Sequence, residues 1–244
     1  MTFTIATLAP SLLNTNGDAQ NANVLAQRLR WAAHDARVVA VEDVADLPDR
    51  VDAVVIGSGN DSTLDAARAK LLTLHDLLRR WGTEGVPILA VGTGWELLSW
   101  GVERADGSVV EGLGVLPGRA VARSSRVIGD LVVRSPRFGH LVGFENHARD
   151  YVQAEASPLG RTLAGDGNGR ESGQEGVVMG WVLGTHLHGP VLAKNPGFAD
   201  AIIAEMAARA GVDYTPGEQA GVVDGYAASA REAQLRGAGV TLDR

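Results

Sequence analysis

Val86-Pro87-Ile88-Leu89-Ala90-Val91-Gly92-Thr93-Gly94-Trp95-Glu96-Leu97-Leu98-Ser99-Trp100-Gly101 is the stretch on which the fold of this chain turns. An apolar run set up by Pro87 gives way, across Gly92-Thr93-Gly94, to Trp95, Leu97 and Leu98, whose placement predicts a strand, a sharp glycine turn and a helix. An elbow of this kind holds one side chain at the top of a parallel sheet. It sets that side chain against backbone N–H groups and the positive end of a helix dipole, where α/β enzymes often place a nucleophile. Here the elbow carries glycine. The sequence offers the frame of nucleophilic catalysis with no evident nucleophile in it.

Upstream, Thr2–Ala9 alternates as a strand and Pro10 ends it. A polar loop, Leu12 to Asn21, leads into a helix from Asn21 to Trp31. Short strands follow at Arg37–Val41 and Val51–Ile56, then the glycine loop Gly57-Ser58-Gly59-Asn60-Asp61-Ser62 and a helix over Thr63–Trp81. Strands alternating with helices to about residue 100 predict an α/β fold, a doubly wound and mostly parallel sheet whose ligands bind at the carboxyl ends of the strands. Both glycine loops, after Ile56 and after Val91, fall on that edge.

Downstream of Gly107 the pattern changes to short glycine-punctuated runs, Val109–Leu116, Ser125–Val133 and His140–Phe144, which read as antiparallel strands that extend or flank the sheet. Glu145-Asn146-His147 is placed just beyond the last of these. Leu159–Gly180 reads as hairpins and an exposed loop, Val182–Gly184 as the end of a further strand, and Phe198–Arg209 as a helix. The alanine-rich Ala220–Leu235 reads as a helix packed on the body or on a partner. One domain over residues 1–210 with a helical tail over 211–244 is the expected organisation.

With 244 residues, 45% of them hydrophobic, the chain is long enough for a full core. A net charge of -7 with no basic stripe argues against nucleic acid and against anionic membrane surfaces as partners, while leaving room for a small anion held by arginine. The chain has no cysteine, so disulfides, thiolate metal sites and cysteine catalysis are excluded for it as written. Nothing at the N-terminus reads as a signal peptide, and no run approaches the ~20 apolar residues of a membrane span. A cytoplasmic protein is the expectation.

Each motif has a bland reading beside the functional one. Gly57-Ser58-Gly59 is either a tight strand-to-helix turn or a set of N–H donors facing an oxyanion; it is neither a Walker loop nor a dinucleotide fingerprint, and no cofactor is expected. His186 and His188, two apart, lack a third ligand of convincing spacing, so no metal site is expected. His188, followed by Gly189-Pro190 on the functional edge, is the general-base candidate. His147 is either a second candidate or a turn-stabilising residue. Arg126 is the arginine best placed for an anionic ligand, against the alternative of a solvated or salt-bridged side chain.

Taken together, these segments resemble class I glutamine amidotransferases of the CobB/CobQ type, a flavodoxin-like fold, and within them the GatD-like glutaminase subunits of lipid II isoglutaminyl synthase. The resemblance runs through Leu13-Asn14 with Gly17-Asp18 and Asn21, Gly57–Asp61, Pro87–Leu98, Gly143–His147, and Gly184–Pro190 followed by Lys194-Asn195-Pro196. It implies glutamine hydrolysis through a cysteine thioester, with ammonia passed to a MurT-like, Mur-ligase-type ATP-dependent partner that amidates D-glutamate in lipid II. By motif, His188 takes the place of the catalytic histidine, Gly57 to Gly59 and the Thr93 N–H those of the oxyanion donors, and Arg126 that of the substrate-binding arginine. The nucleophile position falls on Gly92. Relatives read Cys-Gly-Gly-Tyr-Gln where this chain reads Gly92-Thr93-Gly94-Trp95-Glu96. The expectation is a subunit lacking its own glutaminase activity; the alternatives are a non-enzymatic sensor of a small metabolite and a variant of an active glutaminase.

Overall fold

The computed structural model describes residues 1–241. In chain order its elements are β1 (Thr2–Leu8), α1 (Asn21–Trp31), β2 (Asp35–Val41), β3 (Ala53–Ile56), α2 (Leu64–Thr73), α3 (His75–Thr83), β4 (Ile88–Val91) and α4 (Thr93–Leu98). The strands β5 (Gly101–Glu103), β6 (Val109–Glu111), β7 (Arg119–Ser135), β8 (Gly139–Val152), β9 (Gly160–Ala164), β10 (Gln174–Glu175), β11 (Val177–Met179) and β12 (Val182–Thr185) follow. Three helices close the chain: α5 (Val191–Lys194), α6 (Pro196–Ala210) and α7 (Glu218–Gly237).

A first sheet has the order β11-β12-β4-β3-β1-β2, with every pairing parallel except that of the edge strand β11. Alternation along its strands feeds two cores, as the period-2 geometry of a strand requires. Phe3, Ile5, Ala53, Val55, Leu89 and Val91 face α1 and α6, while Ala6, Leu8, Val54, Ile56, Ile88 and Ala90 face α2, α3 and α4. The sheet is therefore wound on both faces. Because β1 lies between β2 and β3, the strand order reverses beside it, which opens a crevice at the carboxyl ends of β1, β3 and β4.

The later strands form a second six-stranded sheet, β10-β9-β7-β5-β6 with β8 on β7, in which every pairing is antiparallel except that of β5 with β7, and it flanks the first. Here the sequence expectation needs correction. β7 and β8 are long, and Glu145-Asn146-His147 lies inside β8 instead of beyond a strand. Along β8 the buried positions include Glu145, His147 and Arg149, so the inward face is polar and the hydrophobic alternation that marks a half-buried strand is broken. Residues 159–180 are not simply an exposed loop: Leu159, Asn168, Glu175 and Val177 are buried, and the Asn168 side chain bonds both the N–H and the carbonyl of Gly176. The helix expected over Thr63–Trp81 is two helices that meet at Leu74, next to Thr73, whose hydroxyl donates to the Lys70 carbonyl and competes with the helix ladder.

The tail helix α7 packs on the body. Arg28 of α1, its side chain almost wholly buried, bonds Asp200 of α6 at 2.8 Å and Asp224 of α7 at 2.6 Å. Arg231 of α7 bonds Asn195 and the His140 carbonyl, and Leu235 packs on Val132 and Val142. Residues 242–244 of the expected tail lie outside the described residues. Among the described residues no helix is long and apolar enough to cross a membrane.

Candidate active site

Four chain segments meet at the crevice: the loop after β1, the glycine loop after β3, the elbow after β4 and the segment after β12. They enclose a cavity of about 360 Å³ whose walls include Asn16, Ser58, Gly59, Gly92, Thr93 and His188 on one side and Arg126, Asn146, His147 and Arg149 on the other.

Gly92 has φ +52 and ψ −122, the strained conformation of an elbow that turns directly from strand into helix. Its N–H donates to the Thr185 carbonyl at 2.9 Å, and its carbonyl accepts from Glu96 N–H at 2.9 Å. Gly94 must also be glycine, because a Cβ there would strike the Gly57 carbonyl and Ile56. A Cβ added at Gly92 would lie 2.5 Å from His188 Cε1, 3.2 Å from His188 Nε2 and 2.9 Å from Ser58 Cβ. The imidazole thus stands in the volume that a side chain at position 92 would take.

His188 is 3% exposed. Its backbone N–H donates to the Phe144 carbonyl, which fixes the segment on β8, and its Nδ1 lies 3.1 Å from Asp18 Oδ2 and 3.0 Å from Asn16 Nδ2. Asp18 is fully buried and also accepts from Gly189 N–H at 2.7 Å, Ser58 Oγ at 2.5 Å and Ser58 N–H at 3.2 Å. A histidine backed by a buried carboxylate has a fixed ring orientation, and the same pairing directs the other nitrogen toward the reacting position. His188 Nε2 is buried against Gly92 without a hydrogen-bond partner among the described residues.

Of the residues expected from sequence, Ser58, Gly59, Gly92, Thr93, Arg126 and His188 line this one cavity. Gly59, in the loop after β3, and Thr93, at the start of α4, bring N–H groups that no described residue accepts from, which suits them to a developing negative charge. The Thr93 hydroxyl is committed to the Gly59 carbonyl at 3.1 Å and is not presented as a nucleophile. Gly57 is a correction: it is not on the cavity wall, its carbonyl accepts from Gly94 N–H at 3.1 Å, and its α-carbon packs on the Leu13 carbonyl. Sequence reasoning gave no site role to Asp18, Asn16 and Asn146, although Asp18 and Asn146 lie in segments that carry the resemblance. From the residues alone their signal is a run of short polar residues directly after β1, and an asparagine just beyond an expected strand.

Arg126 Nη1 donates to Asn146 Oδ1 at 2.9 Å, and no carboxylate among the described residues pairs with it. Arg149, in contrast, is committed: it bonds Glu96 at 3.1 Å, Asp61 at 2.5 Å and the Glu103 carbonyl at 2.7 Å. Burial opposes its charge, but Glu96 and Asp61 outweigh that and hold the guanidinium above its ordinary value.

Behind the elbow the rings of His147, His186, Trp95 and Tyr151 follow one another: His147 stacks on His186 at 3.9 Å, His186 meets Trp95 tilted at 58°, and Trp95 stacks on Tyr151. His186 lies inside the protein rather than on the cavity, and among the described residues no group of three or more His, Asp or Glu could hold a metal ion. Burial, then the neighbouring His147, pushes the His186 imidazole well below its ordinary value. For His147, burial opposes the charge, but the Glu145 carboxylate at 3.3 Å and the Arg149 carbonyl at 2.6 Å outweigh it, so the imidazole titrates above its ordinary value. A raised folded-state value means that the stabilisation is complete below the ordinary imidazole value near 6.5 and is lost as pH rises through the higher folded value. His147→Gln is accordingly expected to cost more stability at about pH 6 than at about pH 9. Denaturant unfolding of both proteins at the two pH values checks this, and an equal cost at both refutes it.

The sequence pattern of the CobB/CobQ-like glutamine amidotransferase domain matches residues 4–196. Subunit GatD of the glutamine-hydrolysing lipid II isoglutaminyl synthase of Staphylococcus aureus is 32% identical over 234 residues, covering 95% of this chain and 91% of that protein. The Streptococcus pneumoniae GatD subunit is 31% identical over 82% of this chain and 78% of its own length. Among solved structures, PurLQS from Thermotoga maritima superposes with a TM-score of 0.58 at 12% identity over 83% of this chain and 98% of that one, a likeness of fold alone. On the match over residues 4–196 and the GatD identity across almost the whole length, the chain belongs to the CobB/CobQ-like glutamine amidotransferase family.

Proposed function

We propose that this chain is the amidotransferase-fold subunit of a lipid II isoglutaminyl synthase, paired with a MurT-like, Mur-ligase-type subunit in the cytoplasm and lacking cysteine-dependent glutaminase activity of its own. One observation carries the reading. At the elbow, where a thioester would have to form, Gly92 stands in the strained backbone conformation and the His188 ring occupies the side-chain volume. The pocket supplies a buried histidine–aspartate pair, N–H groups of Gly59 and Thr93, and an arginine unpaired with carboxylate among the described residues, but no thiol, and the Ser58 and Thr93 hydroxyls are held by Asp18 and by the Gly59 carbonyl. Removing one member of such a unit lowers the rate by several orders of magnitude. What the remaining groups do is bind: Arg126 takes a carboxylate, and the donors take a carbonyl oxygen of glutamine or a similar small molecule.

In this assignment the body through residue 210 carries the site and α7 is a helical tail fastened to it. The ligase partner draws on free ammonia, and this subunit stabilises or regulates it.

Two measurements test the reading. Co-expression with a Mur-ligase-type subunit is expected to give a stable heterodimer, and that complex to amidate lipid II with ammonium but not with glutamine. Ammonia release from glutamine at relatives' rates by the unmodified complex refutes the loss of activity. Failure to form a heterodimer, with glutamine still binding to the isolated chain, moves the assignment to a metabolite sensor.

A further inference from the structure

A continuous line of hydrogen bonds crosses the cavity from Arg126 to His188. Arg126 Nη1 donates to Asn146 Oδ1 at 2.9 Å, and Asn146 Nδ2 donates to Asn16 Oδ1 at 3.2 Å. Asn16 Nδ2 in turn donates to Ser58 Oγ at 3.1 Å and lies 3.0 Å from His188 Nδ1. Every donor points the same way, away from the guanidinium and toward the imidazole. Chains so aligned polarise one another, and a charged head strengthens the links behind it.

The far end of this line is a contest. His188 Nδ1 has two partners that demand opposite protonation: Asn16 Nδ2 donates to a bare Nδ1, whereas Asp18 Oδ2, 3.1 Å away, accepts from Nδ1–H. Asp18 does not need the imidazole proton, because Oδ2 already accepts from Ser58 Oγ and Ser58 N–H, and Oδ1 from Gly189 N–H. No strong bond at Nε2 biases the choice, since that nitrogen is buried and unpartnered among the described residues. The neutral ring therefore has two tautomers, one matched to each partner at Nδ1, and the state of Asn16 weighs on which of them is held.

We infer that Asn16 and Asn146 are positioning residues which couple carboxylate binding at Arg126 to the tautomer of His188. With Arg126 on Asn146, the polarised line drives Asn16 onto Nδ1 and leaves the proton on Nε2, where the ring is no base toward position 92. A carboxylate engages the guanidinium in a bidentate pair, which is stronger than its bond to an amide oxygen. Where that pair takes up Nη1, the one Arg126 nitrogen on Asn146, the guanidinium leaves Asn146, the line loses its charged head, and Nδ1–H turns to Asp18. The Nε2 lone pair now faces the elbow. In this way the base is set only when a carboxylate-bearing ligand is in place. The ligand class rests on the reading of the pocket given above; the coupling itself does not.

The test reads the imidazole nitrogens directly. Long-range ¹H–¹⁵N spectra of the ¹⁵N-histidine full-length chain are recorded at about pH 8.5, above the ordinary imidazole value. Ligand-free wild type is expected to show His188 protonated at Nε2, whereas Arg126→Ala, Asn146→Ala and Asn16→Ala each show it protonated at Nδ1. Addition of L-glutamine to wild type is expected to move His188 to the Nδ1–H form, with no further change in Asn146→Ala even though calorimetry still detects binding. A His188 tautomer that is the same in ligand-free wild type and in all three variants overturns the coupling. If the variants shift as expected but L-glutamine binds none of the proteins, the coupling stands and the ligand assignment of the pocket falls. A purely structural role for the asparagines would alter thermal stability and leave the nitrogen pattern unchanged.

Discussion

Gly92→Cys is expected to create glutamine hydrolysis where there was none, and to cost stability in doing so. The thiol would enter a pocket that already has His188 backed by Asp18 and N–H donors from Gly59 and Thr93. Restoring the missing member of such a unit is worth about 10³-fold or more in turnover. The cost has two sources. A non-glycine residue at φ +52 and ψ −122 carries about 1–3 kcal/mol of backbone strain. The new Cβ would also lie 2.5 Å from His188 Cε1, so the ring must swing away from Gly92 before the sulfur fits. Together these predict a melting temperature lower by about 3–10 °C. Coupled assay of ammonia release, alone and beside the ligase subunit, with His188→Ala added as a control, measures the gain. A folded Gly92→Cys protein that releases no ammonia and forms no thioester would mean that more than the thiol has been lost.

Arg149→Met is expected to destabilise the protein by about 3–5 kcal/mol, because it strands a buried carboxylate. The Glu96 side chain is 3% exposed and its cationic partner is Arg149, itself 7% exposed; Asp61, at 54%, is partly solvated. At about 2–4 °C per kcal/mol the loss amounts to roughly 6–20 °C in melting temperature. The double change Glu96→Gln with Arg149→Met should recover most of it, since no ion then remains to be buried. Thermal unfolding of the single and double variants decides the matter: a double variant no more stable than the single one would show that the penalty is lost packing and not an unpaired charge. The same pair ties the glycine loop at Asp61 to α4 at Glu96, so the single change should also loosen the cavity wall.

Much of the frame was legible in the chain itself. Short β-branched runs ending in glycine loops, at Ala53–Ile56 and again at Ile88–Val91, give a parallel sheet with a ligand edge. Gly92 and His188 could be singled out from their motifs, and in the structure both line one cavity. Less was legible in β8. Glu145 and His147 point inward to satisfy each other and the backbone of residues 149, 166 and 167, Arg149 to meet Glu96 and Asp61, and a strand whose buried face is charged looks like a loop in a hydrophobicity pattern. Gly57 misled for a related reason: a glycine kept for close packing against the Leu13 carbonyl has the same letter as one kept for an approaching ligand.

By itself the sequence determined which backbone could form. Glycine at 92 and 94 permits the elbow, apolar alternation assigns each strand two cores, and the lack of any cysteine removes thioester chemistry before a single contact is known. Only the tertiary structure decided which polar side chains face one another. Asp18 and His188 are 170 residues apart, and Asn16 and Asn146 are 130 apart. Hydrogen bonds between such positions leave no periodic trace, because they depend on distances of about 3 Å fixed by sheet order and not on spacing along the chain.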